Sequence, residues 1–266
     1  MHRIASMILG LCLAAAIPLA GAEQWSKTFA LSGKPDLRVT TSDANIRVDT
    51  WDQNTIEARV TAEGWKIGEG GVKVVDHQTG DSVELEVRLP RNVCIVCLHS
   101  TSHRVDVEVH MPREGRVNLH SSDGSIRLAN FKGDMDLQSS DGAMEVEGVD
   151  GALKAHASDG HIKTAGRFDS LQLSSSDGRL EVRALSGSTI SSSWDVHSGD
   201  GNVTLQLPEA FAADVDLHTG DGHISLDLPV SLEGRLGRNN IRGKLNGGGN
   251  LLTIHTGDGS IHLDKS

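Results

Sequence analysis

Tyrosine is absent from this 266-residue chain, and four Trp with four Phe bring the aromatic content to only 3%. That scarcity excludes an extended aromatic platform for stacking sugars or nucleobases, and it obliges the core to be aliphatic. Proline is rare at 6 residues against 30 Gly, a balance that suits tight turns within regular structure and not a Pro-rich linker. Basic residues are in deficit: 25 Lys and Arg face 36 Asp and Glu, for a formal charge of −11. Such a chain is ill suited to binding a polyanion by counterion release, so nucleic acid is excluded as the main partner. What remains, 37% hydrophobic and 23% charged residues, is a globular composition.

Long apolar runs are also missing, with one early exception. Arg3 gives a positive start, Ile4 to Ile17 is mostly apolar, and Ala20-Gly21-Ala22 forms an A-x-A cleavage site before Glu23. Residues 1–22 are therefore expected to be a secretory signal peptide. The run is short for a spanning helix, and Glu23, Gln24 and Lys27 follow it at once, so no integral membrane span is expected. Leu11 stands where a lipoprotein site needs a small residue, which argues against lipidation at Cys12. Removing Arg3 leaves 24 bases against 36 acids, a mature charge of −12. An acidic protein of the periplasm or the extracellular space is the expectation.

Of the three cysteines, export leaves Cys94 and Cys97, in Asn92-Val93-Cys94-Ile95-Val96-Cys97-Leu98-His99. In an oxidising compartment a local disulfide across a loop is expected, with two free thiols as the alternative. A metal site using both Cys with His99 and His103 has enough ligands but irregular spacing. A thioredoxin-like role lacks the surrounding βαβ pattern.

The strongest signal is a repeat. Asp123-Gly124, Asp141-Gly142, Asp159-Gly160 and Asp177-Gly178 recur every 18 residues, three of them preceded by Ser-Ser. Looser copies follow at Asp200-Gly201, Asp221-Gly222 and Asp258-Gly259, and a divergent one, Thr41-Ser42-Asp43-Ala44, lies near the mature start. Aligning the four regular copies exposes four apolar columns: Val117/Met135/Leu153/Leu171, Leu119/Leu137/Ala155/Leu173, Ile126/Met144/Ile162/Leu180 and Leu128/Val146/Thr164/Val182. Their spacing of two on either side of the turn is strand periodicity with one buried face.

Each copy thus reads as strand, turn, strand and short connection. Two all-β architectures fit. One is a parallel β-solenoid (β-helix) with rungs of about 18 residues; the other is an antiparallel β-sandwich of hairpins, since Asp-Gly is also a hairpin signal. Arg127, Glu145, Lys163 and Glu181 share one outward column and alternate in sign, and Asp136 and Lys154 are successive members of another. Stacked rungs would set these side chains about 4.8 Å apart, where opposite charges help, so the solenoid is favoured. Residues 23–266 are expected to form one elongated domain, with regular rungs over about 113–184. Strand-like segments over 31–61 and 72–110 would make a longer-stranded N-terminal sheet that caps it. Residues 230–250 read as a Gly-rich excursion before a last rung.

The Asp column does not alternate. Turn chemistry is its expected role, each Asp accepting N–H groups of its own turn while Gly takes the left-handed conformation. Calcium bridging the column is the sharper alternative, although the glycine-rich nonapeptide of calcium-binding β-rolls is missing. Among 13 His, the pairs His156/His161 and His218/His223 flank a turn and suggest weak transition-metal sites, against a plain role as solvent-facing polar positions. Neither a metal nor a cofactor is assigned.

These Ser-Ser-Asp-Gly-x-Ile-x-Leu copies, with the ending Gly243-Lys244-Leu245-Asn246-Gly247-Gly248-Gly249 before Leu252 to Leu263, resemble the bacterial putative-adhesin family, a β-strand-repeat domain. The resemblance covers nearly the whole mature chain and implies an exported or envelope-associated β-solenoid. It brings no catalytic residues, and the Cys94/Cys97 loop is not part of the shared pattern. Solenoid enzymes that cleave polysaccharides break their repeat with idiosyncratic carboxylates in a groove, whereas these central copies are uniform. A non-enzymatic, adhesin-like binding protein of the cell envelope is the expected function, its partner an envelope or cell-surface glycan or protein. A self-assembling structural element is the alternative, and a polysaccharide-active enzyme comes last.

Overall fold

The computed structural model describes residues 22–90, 103–228, 230–232 and 237–266. Cys94 and Cys97 lie outside the described residues, as does the leader through Gly21. All regular structure among the described residues is β. The N-terminal strands are β1 (Ala22–Ala30), β2 (Asp36–Thr41), β3 (Asn45–Trp51), β4 (Thr55–Glu63), β5 (Lys73–Thr79), β6 (Ser82–Arg88) and β7 (Arg104–Pro112). The regular repeat supplies β8 (Glu114–Ser121), β9 (Ile126–Ala129), β10 (Lys132–Ser139), β11 (Met144–Ala157), β12 (Ile162–Ser175) and β13 (Leu180–Ala184). Beyond it run β14 (Ser193–Ser198), β15 (Val203–Leu207), β16 (Ala213–Thr219) and β17 (Ile224–Leu226). The last four are β18 (Val230–Leu232), β19 (Asn240–Leu245), β20 (Leu251–Thr256) and β21 (Ile261–Lys265).

All sixteen positions of the four apolar columns are buried. Alternation puts every second side chain inside, and the copies pair in parallel with an 18-residue offset: Val117 with Met135, Met135 with Leu153, Leu153 with Leu171. Thr164, one of the two departures from large aliphatics, buries a hydroxyl that has no hydrogen-bond partner among the described residues. The strands on either side of an Asp-Gly corner are not hairpin partners; each pairs with its counterpart in the neighbouring copy. One ladder runs β5-β6-β2-β8-β10, through the C-terminal half of β11 and of β12, then β14-β20-β16-β19-β18. The other runs β1-β4-β7-β3-β9, through the N-terminal halves of β11 and β12, then β13-β15-β21-β17. Because β11 and β12 turn the far corner without a break, the two ladders join into one mixed, nearly closed sheet around one core.

Spatial order follows chain order only in the middle. At one end β2 and β3 lie between β6/β7 and β8/β9; at the other, β20 and β21 lie between β14/β15 and β16/β17. The physical cause is reach. Inside the regular repeat the connections are too short to skip a place, but 37 residues separate Asp221 from Asp258. The Gly-rich excursion holds structure of its own: β18 and β19 return antiparallel to close one ladder beside β16. Antiparallel strands also close the first end, β5 on one ladder and β4 with β1 on the other.

Candidate binding surface

The Asp-Gly corners stack into one edge, in the order Ala44, Gly124, Gly142, Gly160, Gly178, Gly201, Gly259, Gly222. Their glycines are not in the left-handed conformation expected from the turn signal. They are glycine for room. A Cβ on any of the last seven would fall well under 3.0 Å from the backbone carbonyl oxygen of the corner before it. The expected role of Asp is likewise corrected. A Ser or Thr hydroxyl accepts the corner N–H: Ser121 from Gly124 (3.1 Å), Ser139 from Gly142 (3.0 Å), Ser175 from Gly178 (2.9 Å) and Thr219 from Gly222 (3.1 Å). Where this position is Ala157, Gly160 N–H donates instead to Ser140 O in the previous copy.

Freed from turn chemistry, the carboxylates of Asp43, Asp123, Asp141, Asp159, Asp177, Asp200, Asp258 and Asp221 line an exposed edge. Crowding there has one resolved consequence. A hydrogen bond with Asp43 raises the Asp123 carboxyl above the usual Asp range, and desolvation and the charges of Asp43 and Asp141 push the same way. Among the described residues no three His, Cys, Asp or Glu side chains gather around one point suited to a metal ion.

Beside this edge lies the outer face of the ladder that contains β9. Its outward column is longer than the repeat alone suggests: Arg59, Glu108, Arg47, Arg127, Glu145, Lys163, Glu181 on successive strands. Signs alternate except where Arg47 meets Arg127 in register. That juxtaposition of like charges is unfavourable by itself. Each Arg turns to a carboxylate, Arg47 Nε to Asp49 (2.7 Å) and Arg127 Nε to Glu145 (2.8 Å), and the Asp49 hydrogen bond and charge raise the Arg47 pKa. Over β7, β3, β9, β11 and β12 this face is hollowed into an open groove of about 660 Å³. Arg104, Arg47, Arg127 and Lys163 supply its cations and Asp106, Glu108 and Glu145 its anions. On the other ladder Arg116 meets Asp134 (3.3 Å) and Lys154 meets Asp136 (4.0 Å), again 18 residues apart.

The structure regroups the histidines. His156 and His161, like His218 and His223, belong to opposite ladders across a corner. The ring neighbours are instead His218 with His255 and His223 with His262. His197, beside His255 in the ladder, belongs to the same column and had no signal in the sequence beyond its place before Asp200-Gly201.

Residues 28–264, which include every stacked corner and nearly all of both ladders, match the family model Toastrack DUF4097. The chain belongs to that family. The resemblance to bacterial putative adhesins is thereby shown. A solved putative cell adhesion protein from Clostridium sporogenes is 12% identical, with a TM-score of 0.38, covering 92% of this Toastrack chain and 100% of that one. A putative adhesin from Bacteroides fragilis is 10% identical, with a TM-score of 0.33 over 91% of this chain and 97% of its own. A structure called a putative lipid binding protein, from Parabacteroides distasonis, is 12% identical, with a TM-score of 0.34 over 92% and 98%. No curated protein matches the chain.

Proposed function

We propose that this Toastrack chain is an exported, non-enzymatic binding protein of the cell envelope, built as a short β-solenoid whose stacked copies present a repeated polar face. The observation that carries the reading is the groove over β7, β3, β9, β11 and β12, where charges are held in register on consecutive strands. A ligand lying across those strands meets a charged side chain at each step, and among the described residues no Trp or Phe lines the groove, so recognition is polar and spread out. Strand β1 starts at Ala22, and Glu23 accepts a hydrogen bond from Ile67 N–H (2.6 Å), so the residues just after the expected cleavage site already have a place in the ladder. Support for export rests on the leader, and the periplasm or the cell surface is the proposed location. The partner is proposed to be an envelope or surface glycan or protein.

Binding to isolated envelope fragments tests this. Neutralising Lys163 alone should change affinity little, as a solvated contact contributes only ~0.2–1 kcal/mol. Neutralising Arg47, Arg104, Arg127 and Lys163 together should weaken binding roughly tenfold or more while β-sheet circular dichroism is retained. Unchanged affinity in the quadruple variant, or hydrolysis of envelope glycans abolished by one substitution, would count against the proposal. Self-assembly is a second reading. Among the described residues β17 pairs with β21 alone, and such an edge can template another chain, although three residues make it a short one. Filaments that grow with protein concentration would favour that reading.

A further inference from the structure

The outward column that ends each strand just before the corners reads, in spatial order, His120, Gln138, His156, Ser174, His197, His255, His218. In its first half the imidazoles are separated by other residues, and His156 Nδ1 lies 2.7 Å from Ser174 Oγ. In its second half three histidines stand on three consecutive strands. They are 58 and 37 residues apart in sequence, and only the insertion of β20 between β14 and β16 puts His255 in the middle. The His218 and His255 ring centres are 5.7 Å apart at 78°. His197 and His218 are exposed and His255 half-buried. Among the described residues, no hydrogen bond occupies a ring nitrogen of these three.

We infer that His255 with His218, flanked by His197, is a transition-metal site that takes Cu²⁺ in preference to Zn²⁺ or Ni²⁺. Metal–imidazole bonds of about 2.0–2.1 Å allow two ring centres on one ion to lie up to roughly 6 Å apart, so the observed spacing leaves room for one ion between the two rings. Imidazole nitrogen selects these metals over Ca²⁺ or Mg²⁺, which want oxygen, and the usual affinity order places Cu²⁺ first. The field is favourable to a cation. Asp195 and Asp216 precede His197 and His218 on the same face, Asp216 being paired with Arg242 (3.0 Å), and Asp200, Asp258 and Asp221 follow at the corners. Uncharged Ser174 and Asn240 stand beside the column at its two ends. Since among the described residues no third ligand converges, the bound ion keeps open positions for water or for a donor from another molecule. His223 and His262, 6.0 Å apart on the opposite face, are a poorer pair because His223 Nδ1 is 3.4 Å from Ser260 Oγ.

The test is calorimetric titration of Cu²⁺ into the full chain, made without a polyhistidine tag and carrying Cys12→Ser, Cys94→Ser and Cys97→Ser to remove all three thiol ligands. One ion per chain is expected at neutral pH. His255→Ala should weaken it by at least about tenfold, and so should His218→Ala, which changes an exposed residue and protects the test against misfolding. His120→Ala and His262→Ala should leave it unchanged. No Cu²⁺ binding by the parent, or equal binding by the parent and both weakening variants, would overturn the inference.

Discussion

Gly142→Ala should destabilise the protein by about 3 kcal/mol or more, a large effect for adding one methyl group. The added Cβ would meet the carbonyl oxygen and carbon of Gly124 well under 3.0 Å, and the Ser139 hydroxyl that accepts Gly142 N–H would also be crowded. Relief is not available locally. Backbone N–H groups tie Ser140 and Asp141 to Ser122 O in the corner before, and the corner after rests in turn on Gly142. Separating one corner by the needed distance would stretch two rows of hydrogen bonds. Gly247→Ala provides the contrast. Gly247 has φ of +91° and open space around its Cβ position, so alanine there carries only backbone strain, of about 1 kcal/mol. Denaturant midpoints of the two variants check the expectation; similar small shifts would mean that corners do not stack this closely.

Leu137→Asp should leave the protein unfolded or nearly so, while Asp136→Asn should be almost silent. Leu137 is fully buried, between Leu119 and Ala155 on the neighbouring strands. Removing its side chain loses ~2–3 kcal/mol of apolar burial, and an unpaired carboxylate in its place adds several more. Asp136, one residue earlier, faces outward and meets Lys154 at 4.0 Å, a contact within the ~0–1 kcal/mol of surface pairs. Thermal unfolding by circular dichroism distinguishes them. Equal effects would show that the strand register is wrong by one residue, since such a slip exchanges the two faces.

Local features of this fold were open to reading in the sequence. The apolar columns carried the burial of β8 to β13 because alternation is a two-residue pattern and needs no distant partner. The same holds for β2, β3, β4, β6 and β7. Strands toward the ends of the ladders were harder: Lys73–Thr79, at an edge, exposes most of its side chains, and Asn240–Leu245, between β16 and β18, has Gly243 at an inward position, so its apolar pattern is broken in the sequence. The corner glycines were visible, but their cause was misjudged, because a turn signal reports local φ preference and not the approach of a neighbouring backbone. Spatial order was the least legible. Nothing in Asn45–Trp51 announces that Arg47 will lie beside Arg127, or in Leu251–Thr256 that His255 will lie between His197 and His218. Those neighbours are set by long connections, and they create both the groove and the histidine cluster.

Disulfide trapping across the inserted strand tests that order most directly. Asp195 is in register with Thr253 on β20, whereas Asp216 lies one strand further on, beyond β20. In-register neighbours are about 4.8 Å apart and strands two places apart about 9.6 Å, and only the first falls within disulfide reach. In a chain with Cys12→Ser, Cys94→Ser and Cys97→Ser, the pair Asp195→Cys/Thr253→Cys should crosslink on mild oxidation and Asp195→Cys/Asp216→Cys should remain reduced. The reverse pattern, with Asp195→Cys joined to Asp216→Cys, would show that the copies stack in chain order and would contradict the account.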